Sequence, residues 1–109
     1  MAITYKVLGQ SAPSATTNTD VYTVGAGKQT TISTITVCNR SATPATYCIA
    51  VRPDGAAIAN QHYIAYDAPI GANDSITWTI GMTVDASDVV TVYASTANLS
   101  VNIFGAEIA

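Results

Sequence analysis

Thr30-Thr31-Ile32-Ser33-Thr34-Ile35-Thr36-Val37-Cys38-Asn39, followed by Thr46-Tyr47-Cys48-Ile49-Ala50-Val51-Arg52, carries the clearest strand pattern in the chain. Apolar and polar residues alternate with period two, which sets one face of an extended chain against a core and leaves the other to solvent. Ile35 and Val37 share one face of the first run. Ile32 is out of phase with them, which predicts a bulge or twist near Ser33. Tyr47, Ile49 and Val51 share one face of the second run. Between the runs, Asn39-Arg40-Ser41-Ala42-Thr43-Pro44 reads as a hairpin loop.

The same period continues in both directions. Strands are expected over Ile3–Leu8, Val21–Val24, Thr30–Asn39, Thr46–Arg52, His62–Tyr66, Ile76–Ile80, Val89–Ala94 and Leu99–Ile103, with Glu107–Ala109 as an extension of the last. Gly9–Thr19 is rich in Ser, Thr and Ala and reads as an arm crossing between sheets. Turn signals stand at Gly25–Lys28, Pro53-Asp54-Gly55, Asp67–Ser75 and Ser95–Asn98. Ala56–Gln61 is ambiguous between a short helical turn and an irregular loop. Gly81–Asp88 reads as a loop. Helical periodicity is nearly absent. About eight strands at this spacing predict one all-β domain over residues 1–109, an antiparallel β-sandwich of jelly-roll or immunoglobulin-like type. Trp78 is the expected core anchor.

Composition bounds what such a domain does. Of 109 residues, 49% are hydrophobic and only 10% are charged, for a net charge of −3. Typical domains carry about 25% charged residues. The polar surface is therefore largely hydroxyl and amide, with sixteen threonines and eight serines. Burying a hydroxyl costs far less than burying an ion, so this surface suits coverage by neighbours. Lys6, Lys28, Arg40 and Arg52 are scattered, which gives neither the basic patch of a nucleic-acid binder nor a basic amphipathic helix for a membrane. Met1–Lys6 alternates as a strand and does not read as a leader; no apolar run has the length of a membrane span.

Chemistry-bearing residues are few. If Val37 pairs with Ile49 and Ile35 with Val51, Cys38 falls opposite Cys48, close enough for a disulfide. Free thiols behaving as small hydrophobes are the favoured alternative without a leader. His62 is the single histidine, and no Gly-x-Ser-x-Gly elbow accompanies it, so no catalytic residue, metal ligand or cofactor is assigned. Asp85 with Asp88, and Asn73 with Asp74, read as turn and cap residues. Gln61, His62, Tyr63 and Tyr66 form the candidate contact patch, because tyrosine combines area with a hydroxyl.

Three segments together, Met1–Gln10, Thr36-Val37-Cys38-Asn39-Arg40 and Ala59-Asn60-Gln61-His62-Tyr63-Ile64-Ala65-Tyr66-Asp67, give the chain a pattern that resembles small virion-associated proteins of tailed phages, especially cyanophages and related marine phages. The resemblance covers most of the chain. It implies a structural protein of the virion, assembled in the host cytoplasm: a capsid decoration or cement protein touching the major capsid protein, or a tail, baseplate or fibre component that binds a host glycan. It carries over no functional residues. A symmetric homo-oligomer such as a trimer would cover the sheet edges, with the N-terminal strand and the 9–19 arm reaching the neighbour.

Overall fold

The computed structural model describes residues 2–109. Eight strands run in chain order: β1 Ile3–Ser11, β2 Thr19–Thr23, β3 Gln29–Asn39, β4 Ala45–Arg52, β5 Tyr63–Ile70, β6 Ser75–Asp85, β7 Val89–Ala94 and β8 Leu99–Ile108. They form two antiparallel four-stranded sheets, ordered β1-β8-β3-β6 and β2-β7-β4-β5. Of the seven connections, only β4–β5 joins neighbours within one sheet; the other six pass between sheets. This strand order is that of a jelly roll, one of the two sandwich types the alternation allowed.

The inward faces meet in one core. Ile32, Ile35, Val37, Leu99, Val101 and Ile103 come from the first sheet, Tyr47, Ile49, Val90, Val92 and Ala94 from the second, and all are almost fully buried. Every one lies in phase with its strand's alternation except at Ser33. There the β3 ladders to both β6 and β8 shift register between Ile32 and Thr34. The extra residue restores Ile32 and Ile35 to the same side, which is the bulge their spacing of three demanded. Shifts at Leu8 in β1 and at Ile80-Gly81 in β6 lie alongside it. At this line Gly105 of β8 packs against the Thr31 carbonyl, leaving no room for a Cβ.

Four expectations are corrected. Residues 39–44 are not a hairpin. Asn39 is buried and its side chain stitches the crossing: Nδ2 donates to the Thr43 and Gly71 carbonyls, and Oδ1 accepts from the Ser41 amide. The Asn39 amide donates to Asp74 O and the Asn73 amide to Ser41 O, which ties this crossing to the β5–β6 loop. Second, Gly81–Asp85 is strand, because Gly81 absorbs the register shift at φ +61° and pairing resumes at Met82. Third, β5 runs on through Pro69 to Ile70, which an edge strand tolerates. Fourth, Tyr47, not Trp78, is the largest fully buried side chain. Trp78 lies on edge strand β6, so it flanks the core, and its Nε1 donates to Tyr47 Oη at 2.9 Å.

Gly9–Ser11 belongs to β1, and residues 12–18 make the crossing between sheets expected of the arm. Ala56–Ala59 is irregular, between the 3-10 turns Pro53–Gly55 and Asn60–His62.

Candidate contact surfaces

Each sheet turns its second face outward, and the two outer faces differ in chemistry. On the β2-β7-β4-β5 sheet the outward residues bond to each other. Arg52 Nη2 pairs with Asp20 Oδ1 at 2.9 Å; Thr91 Oγ1 accepts from Arg52 Nε and donates to the same carboxylate. The expected patch lies further along this face. His62 is buried at 8% exposure, accepts the Ala59 amide on Nδ1 at 3.0 Å and so closes its own turn. Gln61 is exposed, Tyr63 half-buried and Tyr66 67% exposed. The Tyr63 and Tyr66 rings meet edge-on, centroids 4.9 Å apart at 80°. Of the four residues, the structure brings Tyr63 and Tyr66 into contact and leaves Gln61 exposed, while the His62 side chain faces its own turn.

The two cysteines do not face each other. Cys38 points outward from the first sheet, opposite Ser75 and Ser100; Cys48 belongs to the second, opposite Tyr93. The pairing of Ile35 with Val51 and of Val37 with Ile49 fails, because the 39–44 crossing sends β4 to the other sheet. Both cysteines are free thiols. Cys48 Sγ accepts the Asp67 amide at 3.3 Å and lies 3.6 Å from Asp67 Oδ1. Burial first, with the Asp67 carboxylate adding to it, pushes the Cys48 thiol up. Tyr63 is likewise raised, first by burial and then by its neighbours Cys48, Tyr66 and Asp67.

At one end of the sandwich a carboxylate enters the interior. Glu107 is 9% exposed. Its Oε2 accepts from Tyr22 Oη at 2.7 Å, and its Oε1 lies 3.0 Å from Lys6 Nζ and 3.6 Å from Lys28 Nζ. Tyr22 Oη also sits 2.7 Å from Thr30 Oγ1. The Tyr22 hydrogen bond and then Lys6 hold the Glu107 carboxyl below its ordinary range, while burial pushes the Tyr22 phenol up to about 12. At the same end Asp88 receives the Asp54 and Asp85 amides, one on each oxygen, and Asp85 receives the Ala86 amide. These are the turn roles expected of Asp85 and Asp88. Asp74 likewise accepts the Ser75 amide.

The outer face of the β1-β8-β3-β6 sheet was not singled out by sequence. Ile3, Tyr5 and Val7 of β1 point outward at 50%, 83% and 46% exposure. Their neighbours across the ladder are Ile108, Ala106 and Phe104. Beyond this apolar strip β3 and β6 set threonine against threonine: Thr31 with Thr83, Thr34 with Thr79, Thr36 with Thr77. Along the outward positions of the four strands, the one charged side chain is Asp85 at the rim. A shallow groove of about 540 Å³ runs over Tyr5, Val7, Thr31, Ser33, Phe104 and Ala106, with Lys6 and Gly105 also lining it. Period-two apolar residues in β1 ordinarily read as inward-facing. Here the inward side is taken by Thr4 and Lys6, because Glu107 needs a cation. No family model, curated protein or solved structure matches this chain.

Proposed function

We propose that this protein is a structural component of a phage virion, a decoration or cement protein that docks on the head shell through the outer face of its β1-β8-β3-β6 sheet. The observation that supports this reading is that face: apolar along β1 and β8, hydroxyl-lined along β3 and β6, and charged only at Asp85. Exposed contiguous apolar surface marks interaction sites. A surrounding field of threonine hydroxyls loses little on desolvation and accepts bridging water, as interface rims do. The likeness in sequence pattern to virion-associated proteins supplies the setting. The jelly roll serves viral capsid proteins and lectin domains alike, so topology favours neither over the other.

The test is re-addition to particles lacking the protein. Wild-type chain is expected to bind them saturably. Ala106→Asp puts a carboxylate at the centre of the apolar strip and is expected to lose at least tenfold in affinity while keeping its circular dichroism. Equal binding by a folded Ala106→Asp variant would overturn the assignment of this face.

A second reading, a tail or fibre module that binds a host glycan, is favoured by the exposed Tyr63–Tyr66 pair. Tyrosine faces and hydroxyls suit sugar rings. On that reading, Tyr66→Ala abolishes binding to host-cell polysaccharide and Ala106→Asp does not.

A further inference from the structure

The four sheet edges are not protected alike. β2 has five residues and a register shift at Val21. β5 carries Pro69 and two shifts, with Asp67 at φ +46°. β6 is interrupted at Ile80-Gly81. Shortness, proline and bulges are the devices that keep edges from pairing with other chains. Over Ile3–Val7, β1 has a regular ladder with β8 and only one such device, Lys6. That ammonium is drawn to Glu107 Oε1 at 3.0 Å, so its charge is compensated within the chain.

Backbone geometry fixes what this edge offers. Ala2 and Ala109 exchange both amide bonds, each at 3.0 Å. In an antiparallel ladder such pairs alternate with pairs that exchange none. Thr4 and Lys6 therefore bond to β8, while the amides and carbonyls of Ile3, Tyr5 and Val7 point away from the sheet. These are the three residues whose side chains form the exposed apolar strip.

We infer that β1 is a self-complementary edge that pairs with β1 of a second copy about a two-fold axis through Tyr5, joining two β1-β8-β3-β6 sheets into one eight-stranded sheet. The axis sets Tyr5 opposite Tyr5 of the second copy and Ile3 opposite Val7 in both directions. All three outward-pointing residues on each chain then find partners, giving six backbone hydrogen bonds, and Lys6 faces Thr4. A register centred on Lys6 would set two ammonium groups against each other. Among the described residues, one centred on Thr4 would pair only Ile3 with Tyr5, giving four backbone hydrogen bonds in place of six, and odd shifts would set outward groups against inward ones. With the axis normal to the sheet, both apolar strips lie on one side and merge. The pairing does not rest on the virion reading, since it follows from β1 alone.

The test is mass determination by light scattering, from about 5 to 500 µM, a range that brackets the affinities of small interfaces. The full chain is expected to move from 11.2 kDa to twice that mass. Tyr5→Pro removes an amide that points away from β8 and is expected to stay monomeric while keeping its thermal midpoint within a few degrees. Tyr5→Lys places two ammonium groups on the axis and is expected to stay monomeric as a folded protein, at least tenfold weaker in association than wild type. If Tyr5→Pro does not fold, Tyr5→Lys decides alone. A wild-type monomer at the highest concentration, a trimer, or a dimer that folded Tyr5→Lys leaves intact would each overturn the inference.

Discussion

Single side chains carry much of what distinguishes this sandwich from a generic one, and Glu107 is the clearest. A carboxylate at 9% exposure is sustained by Tyr22 and two lysines. Charge-assisted hydrogen bonds of this kind contribute about 2 kcal/mol each. Glu107→Gln is expected to lower the unfolding free energy by about 2 kcal/mol in urea titrations. Because the folded-state pKa is depressed, the extra stability is fully present above the unfolded carboxylate pKa. It is lost as pH falls through the lower, folded value. Wild type should therefore lose stability more steeply than Glu107→Gln in acid titrations below about pH 4.5; parallel curves would contradict the network. The thiols give a second check. Cys38 is partly exposed, whereas Cys48 is buried with its pKa raised. A thiol reagent at pH 8 should modify Cys38 in the native protein and Cys48 only on unfolding. Free thiols were the favoured reading of the sequence, but the Glu107 network could not be read from it, because which acid meets which cation depends on strands far apart in the chain.

At the scale of elements, alternation was legible wherever one face is buried. Ile35, Val37, Tyr47, Ile49 and Val51 point as their period requires, and Ile32's phase located the bulge at Ser33. Alternation says nothing about which sheet a strand joins. A five-residue connection serves a hairpin or a crossing equally, and the buried Asn39 side chain ties the crossing that is found. Nor does alternation say which face of β1 is inward: its apolar residues turn outward, and the buried Glu107 claims the inward side. Amide exchange should reflect the sheet order. Amides in β3, β4, β7 and β8, which lie between two strands, are expected to exchange slowest, and those of β5 and β2 fastest. Within β1, Thr4 and Lys6 should be protected at every concentration, while Ile3, Tyr5 and Val7 gain protection only on association. Gly105→Ala would force a methyl group into the Thr31 carbonyl and the Ile32 backbone. It should cost about 3 kcal/mol by denaturant titration; a change below about 1 kcal/mol would show that β8 and β3 approach less closely at this line.

For the whole molecule, the organising feature is that charge on one face is confined to Asp85 at its rim and is concentrated elsewhere. Asp20 and Arg52 bond on the opposite sheet, and Glu107, Lys6, Lys28, Asp54, Asp85 and Asp88 gather at one end. The face that remains is apolar and hydroxyl-lined, and a two-fold pair through β1 doubles it. Composition foreshadowed this, since 10% charged residues cannot cover every surface of a domain. Only the fold shows which surface is left bare. The decisive measurement for the proposed virion role is quantitative mass spectrometry of purified virions, reading this chain against the major capsid protein. A copy number comparable to that of the major capsid protein is the predicted result. Absence from the virion, or presence at only the few copies of a tail part, would contradict the role as a head decoration protein.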